Sequence, residues 1–121
     1  MKIEEVGSIN NSAFSGLEAK TKVRVAAVVK TIDDKETPYG TAKRFRGEVA
    51  LELGDTVYTS RSAFFPTAIR DAILSELKKI GKWDTFEFAL TAVKTADSSW
   101  SVSFDTLPRN QQPRAIALLE D

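Results

Sequence analysis

The chain has 121 residues and a mass of 13.3 kDa, which is the size of one domain. It carries 17 basic and 17 acidic side chains, and it contains no Cys and no His. The absence of Cys excludes disulfides and thiolate chemistry, and the absence of His removes the commonest general base and metal ligand. The composition therefore argues against an enzyme, and we expect no catalytic residue, cofactor or metal ion.

The N-terminal 19 residues are polar and rich in Ser, Asn and Gly, which indicates an N-terminal arm whose Phe14 and Leu17 touch the core. No apolar stretch follows Lys2, so the segment does not resemble a secretory signal. The longest apolar run, residues 25–29, is too short to span a bilayer. We therefore expect a cytoplasmic protein without membrane contact.

Two alternating segments predict the first two strands. Residues 21–32 alternate apolar and basic side chains, the signature of a strand with one buried face. Residues 42–53 alternate in the same way, and Gly47 within them predicts a bulge or a sharp bend. The intervening residues 33–41 are polar and contain Pro38 and Gly40, so we expect a loop there.

The second half of the chain predicts one strand, one helix and a final hairpin. A short third strand is expected at 56–60, after a tight turn at Gly54. A helix follows from Pro66, which suits a first helical position, to Gly81, which suits a helix stop. Strands are then expected at 85–93 and from Trp100 onwards, with an irregular C-terminal tail over 107–121.

This order of elements, β-β-β-α-β-β, predicts an all-β domain with one helix: a five-stranded OB-like barrel over residues 20–106. The N-terminal arm (1–19) and the C-terminal tail (107–121) flank it. Another kind of small barrel, or an α+β sheet capped by one helix, fits the same order. An OB barrel binds its ligands on the face of its second and third strands, between the loops after the first and fourth.

The basic side chains are concentrated in one part of the chain. Eight of them lie between Lys20 and Arg46, where only three carboxylates oppose them. Alternation puts Lys22 and Arg24 on the non-core face of the first strand, and Arg44 and Arg46 on that of the second. We expect these four cations to form one patch, although each of them also fits an ordinary solvated surface.

Binding of a single strand needs cations for the phosphates and aromatic faces for the bases. Tyr39 is expected at a loop tip and Tyr58 on the binding face, while Trp100 fits the core better than a stacking position. The candidate nucleic-acid-binding residues are Lys22, Arg24, Tyr39, Lys43, Arg44, Arg46, Tyr58, Arg61 and Trp100.

The element order and the stretch YGTAKRFRGE, residues 39–48, resemble the OB-fold single-stranded-DNA-binding proteins, especially the small phage-type ones. The resemblance implies binding of a displaced strand, without strong sequence preference, in replication, recombination or repair. The partner would be single-stranded DNA, or RNA. Many of these proteins recruit partners through an acidic C-terminal tail, but here the tip, residues 118–121, lacks a long acidic run.

A second hypothesis is a small protein-interaction or inhibitor module that uses a β-barrel as a scaffold. The zero net charge and the apolar Leu118 and Leu119 favour it. Under this hypothesis the C-terminal tail would bind a protein partner or a second copy of the chain.

Overall fold

The computed structural model describes residues 2–105, and the predicted C-terminal tail over 107–121 lies outside them. The fold is mostly β with one α-helix, as the sequence predicts. Its elements in chain order are β1 (Lys2–Glu5), a 3-10 helix (Asn11–Phe14), β2 (Lys22–Thr37), β3 (Gly40–Leu53), β4 (Thr56–Ala63), α1 (Thr67–Ile80), β5 (Phe86–Lys94) and β6 (Trp100–Phe104).

The strands form one six-stranded sheet in the order β1-β4-β3-β2-β5-β6. Among the described residues the two edge strands, β1 and β6, do not pair with each other, so the sheet is open. The prediction of a five-stranded OB-like barrel in the order β-β-β-α-β-β is therefore wrong in two respects. The barrel is not closed, and an additional strand precedes the predicted five.

Strand β1 lies within the predicted N-terminal arm. The sequence does not predict it, because four residues are too few to show an alternating pattern. It runs parallel to β4, with Ile3 beside Val57. The Lys2 amide donates to the Asp55 carbonyl at 2.9 Å, and the Val6 amide donates to the Thr59 carbonyl at 2.9 Å. These bonds join segments about fifty residues apart, and local sequence patterns do not reveal such pairings.

The predicted loop at 33–41 is also wrong, because β2 and β3 continue through it as a regular antiparallel ladder. Only Pro38 and Tyr39 form the turn between them. Residues 33–37 and 40–44 pair with each other and, within residues 2–105, with no third strand. We call this two-stranded ribbon the hairpin extension.

The main hydrophobic cluster lies on one face of the sheet, which we call the core face. On the opposite face Ala26, Val28, Ala50, Val57 and Ala89 are also buried. Helix α1 contributes Ile69 and Ile73, which are fully buried, and it packs beside β6. Phe14 of the 3-10 helix meets Phe65 edge-on at 6.1 Å and Trp100 at 5.9 Å between ring centroids. Phe14 thus joins the 3-10 helix to the segment before α1 and to the start of β6.

Helix α1 has 14 residues, and Gly81, at φ 81°, follows its last turn as the sequence predicts. In the described part of the chain, residues 2–105, no helix combines the length and the apolar character needed to cross a bilayer.

Gly47 lies at a bulge, as predicted. The ladder shifts register between Val29 and Thr31 on one side and between Arg46 and Val49 on the other. Gly47 has φ 146°, and a Cβ atom there would lie 2.1 Å from the Val28 carbonyl oxygen. Only glycine permits this close approach of β3 to β2. At the bulge β2 therefore has one extra residue, Lys30, and the register between β3 and β4 shifts at the same level of the sheet.

Candidate nucleic-acid interface

A groove of about 1100 Å³ crosses the face of the sheet opposite the core. We call this feature the outer groove. It spans strands β1, β4, β3 and β2, and its floor and walls combine apolar and charged side chains. The residues that matter for its chemistry are Ile3, Glu5, Val28, Lys30, Arg46, Glu48 and Arg61.

Three basic side chains meet in the outer groove because of the bulge at Gly47. Lys30 is the unpaired residue between Val29 and Thr31 in β2. Arg46 pairs with Thr31 on one side and with Ser62 on the other. Arg61 precedes Ser62 in β4. Since neighbouring strands lie about 4.8 Å apart, these side chains share one small region of the groove. We call Lys30, Arg46 and Arg61 the groove cations.

Within residues 2–105 the groove cations make no ion pair, whereas Arg24, Lys43 and Arg44 each do. Three like charges held close together repel one another and gain from a bound anion. Glu5 and Glu48 also line the groove. In the strand register, however, both lie farther from the hairpin extension than Arg46 does. The region next to the extension is therefore the positive end of the outer groove.

The prediction that Lys22, Arg24, Arg44 and Arg46 form one patch is wrong. Antiparallel pairing sets Arg24 opposite Glu52, near the end of β3, whereas Arg46 lies opposite Thr31. Arg24 and Thr31 are seven positions apart, which is roughly 20 Å at about 3.3 Å per residue. Arg24 also forms an ion pair with Asp105 at 3.7 Å. Lys22 and Arg24 thus lie at the far end of β2.

Arg44 and Lys43 lie in the hairpin extension, and each is engaged by a carboxylate directly across the ribbon. Arg44 donates through Nη2 to Asp33 at 2.6 Å and through Nε at 3.1 Å. Lys43 Nζ lies 2.7 Å from Asp34. The hydrogen bond from Arg44 holds the pKa of the Asp33 carboxyl below its usual value. Neither cation is available without breaking its pair.

The three aromatic candidates have different surroundings. Tyr39, at the tip of the hairpin extension, is 99% exposed, and it is the only exposed aromatic side chain among the described residues. Tyr58 packs against the core beside Leu51. Trp100 is buried, and the Lys94 ammonium lies 5.5 Å from its ring centroid. Of the three, only Tyr39 presents a free ring face.

Sequence reasoning named Arg46 and Arg61 but missed Lys30, Ile3 and Val28. Lys30 follows an alternating strand and looks like any surface lysine until the register shift is known. Ile3 is 57% exposed on a strand that periodicity does not reveal. The glycine at position 47 was the one available signal, because a bulge gathers side chains from both of its neighbouring strands.

No set of three or more acidic side chains in residues 2–105 is grouped closely enough to hold a metal ion. Comparison with known proteins found no matching family model, no matching curated protein and no matching solved structure. The function of the outer groove must therefore be inferred from its own geometry and charge.

Proposed function

We propose that the protein binds single-stranded nucleic acid, with DNA as the favoured form, without strong sequence preference. The observation that carries the proposal is the meeting of three cations in one groove, none of them ion-paired within residues 2–105. The fully exposed Tyr39 lies at the tip of the hairpin extension, seven positions and roughly 20 Å along the chain from Arg46, so a bound strand would have to run along the extension to reach it. A role in replication, recombination or repair follows from the resemblance of the sequence to phage-type binding proteins.

The groove cations supply the electrostatic part of this binding. Each of them replaces a condensed counterion on the phosphate backbone, and the release of that counterion drives association. The rest of the groove offers the exposed apolar side chain of Ile3, which contacts sugars and bases without reading their edges. Such a surface tolerates any base sequence.

The fold supports the proposal in part. From β2 onwards the elements follow the order expected of an OB-like domain, and barrels of that kind can be partly open. Within that set, β3 and β4 are the second and third strands, and the outer groove crosses both of them. This is the face on which such domains bind oligonucleotides.

Tyr39 should stack on an unpaired base. Replacing Tyr39 with Ala should weaken binding of oligo-dT by about 1 kcal/mol, the lower end of the range for base stacking, because the ring is solvated when free. The matched control is Tyr39→Phe, which keeps the ring and should bind like the wild type. Fluorescence titration measures both variants, and equal binding by Tyr39→Ala would remove this residue from the interface.

Competition tests the proposal as a whole. A labelled oligo-dT is bound at low salt, and unlabelled single strand or duplex of the same length is added while anisotropy is followed. We expect the single strand to displace the label at a concentration at least about tenfold lower, because stacking requires unpaired bases. Equal displacement by duplex, or no binding of the label, would contradict the proposal.

Binding should be nearly independent of pH between 5.5 and 7. The chain has no His, the side chain that ordinarily changes charge in this range. The lowered pKa of Asp33 keeps its pair with Arg44 intact as the pH falls, and that pair is lost only below the usual Asp range. Anisotropy titrations at both pH values should agree within about twofold, and a steep change would implicate another group.

A further inference from the structure

Arg44 lies on the same side of the sheet as Arg46, because residues two apart along a strand point the same way. Arg46 faces the outer groove, so Arg44 occupies the next position along the hairpin extension, towards Tyr39. If it were not paired with a carboxylate, the Arg44 guanidinium would extend the row of groove cations, and the protein could bind one more phosphate.

Asp33 prevents this in the unbound protein. It faces Arg44 across the ladder and accepts two hydrogen bonds from it, at 2.6 and 3.1 Å. A carboxylate held in this bidentate form satisfies the same fork of donors that a phosphate would use. Asp34 is different, because it and its partner Lys43 point to the other side of the ribbon.

We infer that Asp33 limits how many phosphates the protein binds, by holding Arg44 in an internal pair and keeping the hairpin extension out of the phosphate track. The inference rests on the proposed function. Under this inference Arg44, neutralised by Asp33, separates the groove cations from the stacking position at Tyr39. A bound strand then passes Arg44 without forming an ionic contact with it.

The Asp33→Asn variant tests the inference. Asn keeps the shape of the side chain but removes the charge that holds Arg44. We expect the slope of log affinity against log salt to become steeper by about 0.7, the value for one phosphate of a single strand. This additional 0.7 in the slope corresponds to an affinity for oligo-dT that is about fivefold higher at 0.1 M salt.

Two further variants separate this effect from a general gain of positive charge. Asp34→Asn makes the same change of charge one residue away and frees Lys43 on the opposite side, so its salt slope should equal that of the wild type. Asp33→Asn combined with Arg44→Gln should return the slope to the wild-type value, because the released guanidinium is then absent.

The single variant Arg44→Gln removes the guanidinium but leaves the Asp33 carboxylate without its partner, and that carboxylate also interacts with the charge of Arg46. Arg44→Gln should therefore bind oligo-dT no more tightly than the wild type, and a salt slope steeper than that of the wild type would overturn the inference, because removing Arg44 would then have freed a phosphate site instead of exposing a carboxylate. An equal gain for Asp33→Asn and Asp34→Asn, or no gain for Asp33→Asn, would also overturn it. Absence of binding by the wild type would instead defeat the proposed function.

Discussion

Replacing Lys30, Arg46 and Arg61 together with Gln should lower the affinity for oligo-dT about a hundredfold at 0.1 M salt. Each groove cation that neutralises a phosphate of a single strand contributes about 0.7 to the salt slope, and the triple variant loses all three contributions. The three side chains are exposed or line an open groove, so the fold should be unaffected. Anisotropy titration measures the affinity, and thermal unfolding checks the fold.

A second triple variant with the same change of charge provides the control. Lys78, Lys79 and Lys82 lie at and after the end of α1, on an element that does not line the outer groove. Their replacement with Gln should change affinity only slightly, because exposed charges farther away than the Debye length are screened. Equal losses in the two triple variants would mean that net charge, and not the outer groove, governs binding.

Gly47→Ala should lower the free energy of unfolding by about 3 kcal/mol or more. The added Cβ would meet the Val28 carbonyl oxygen at 2.1 Å, and that oxygen belongs to a backbone held by neighbours on both sides. The φ of 146° adds strain for any residue with a side chain. Urea unfolding followed by circular dichroism measures the loss.

Gly54→Ala is the matched control for this prediction. Gly54 also has a positive φ, of 62°, but nothing lies within 4 Å of the position its Cβ would take. Its replacement should cost only about 1 kcal/mol, the usual penalty of the left-handed region. Equal losses for the two variants would show that backbone strain alone, and not the close approach at the bulge, limits position 47.

The parts of the fold that sequence predicted are those with local signals. Alternation in β2 and β3 identified their core-facing residues, and the stripe of Ile69 and Ile73 identified the buried face of α1. Gly47 marked the bulge, because a glycine weakens a strand interior and is usually found there at a bulge, a bend or a close backbone approach. Each of these signals is contained within about fifteen residues of chain.

The parts that sequence could not predict depend on pairing between distant segments. The register of β2 against β3 separates Arg24 from Arg46 and sets Asp33 opposite Arg44, and neither fact follows from alternation. The polar hairpin extension resembled a loop because its charges satisfy each other across the ladder and need no buried face. Charge clustering therefore located the basic region of the chain but misjudged which of its members are available.

The dependence of oligo-dT affinity on salt tests the central claim most directly. If the three groove cations neutralise three phosphates of a single strand, log affinity should fall linearly with log salt at a slope of about −2. A slope near zero, or a failure to bind oligo-dT at low salt, would show that the outer groove does not bind a phosphate backbone.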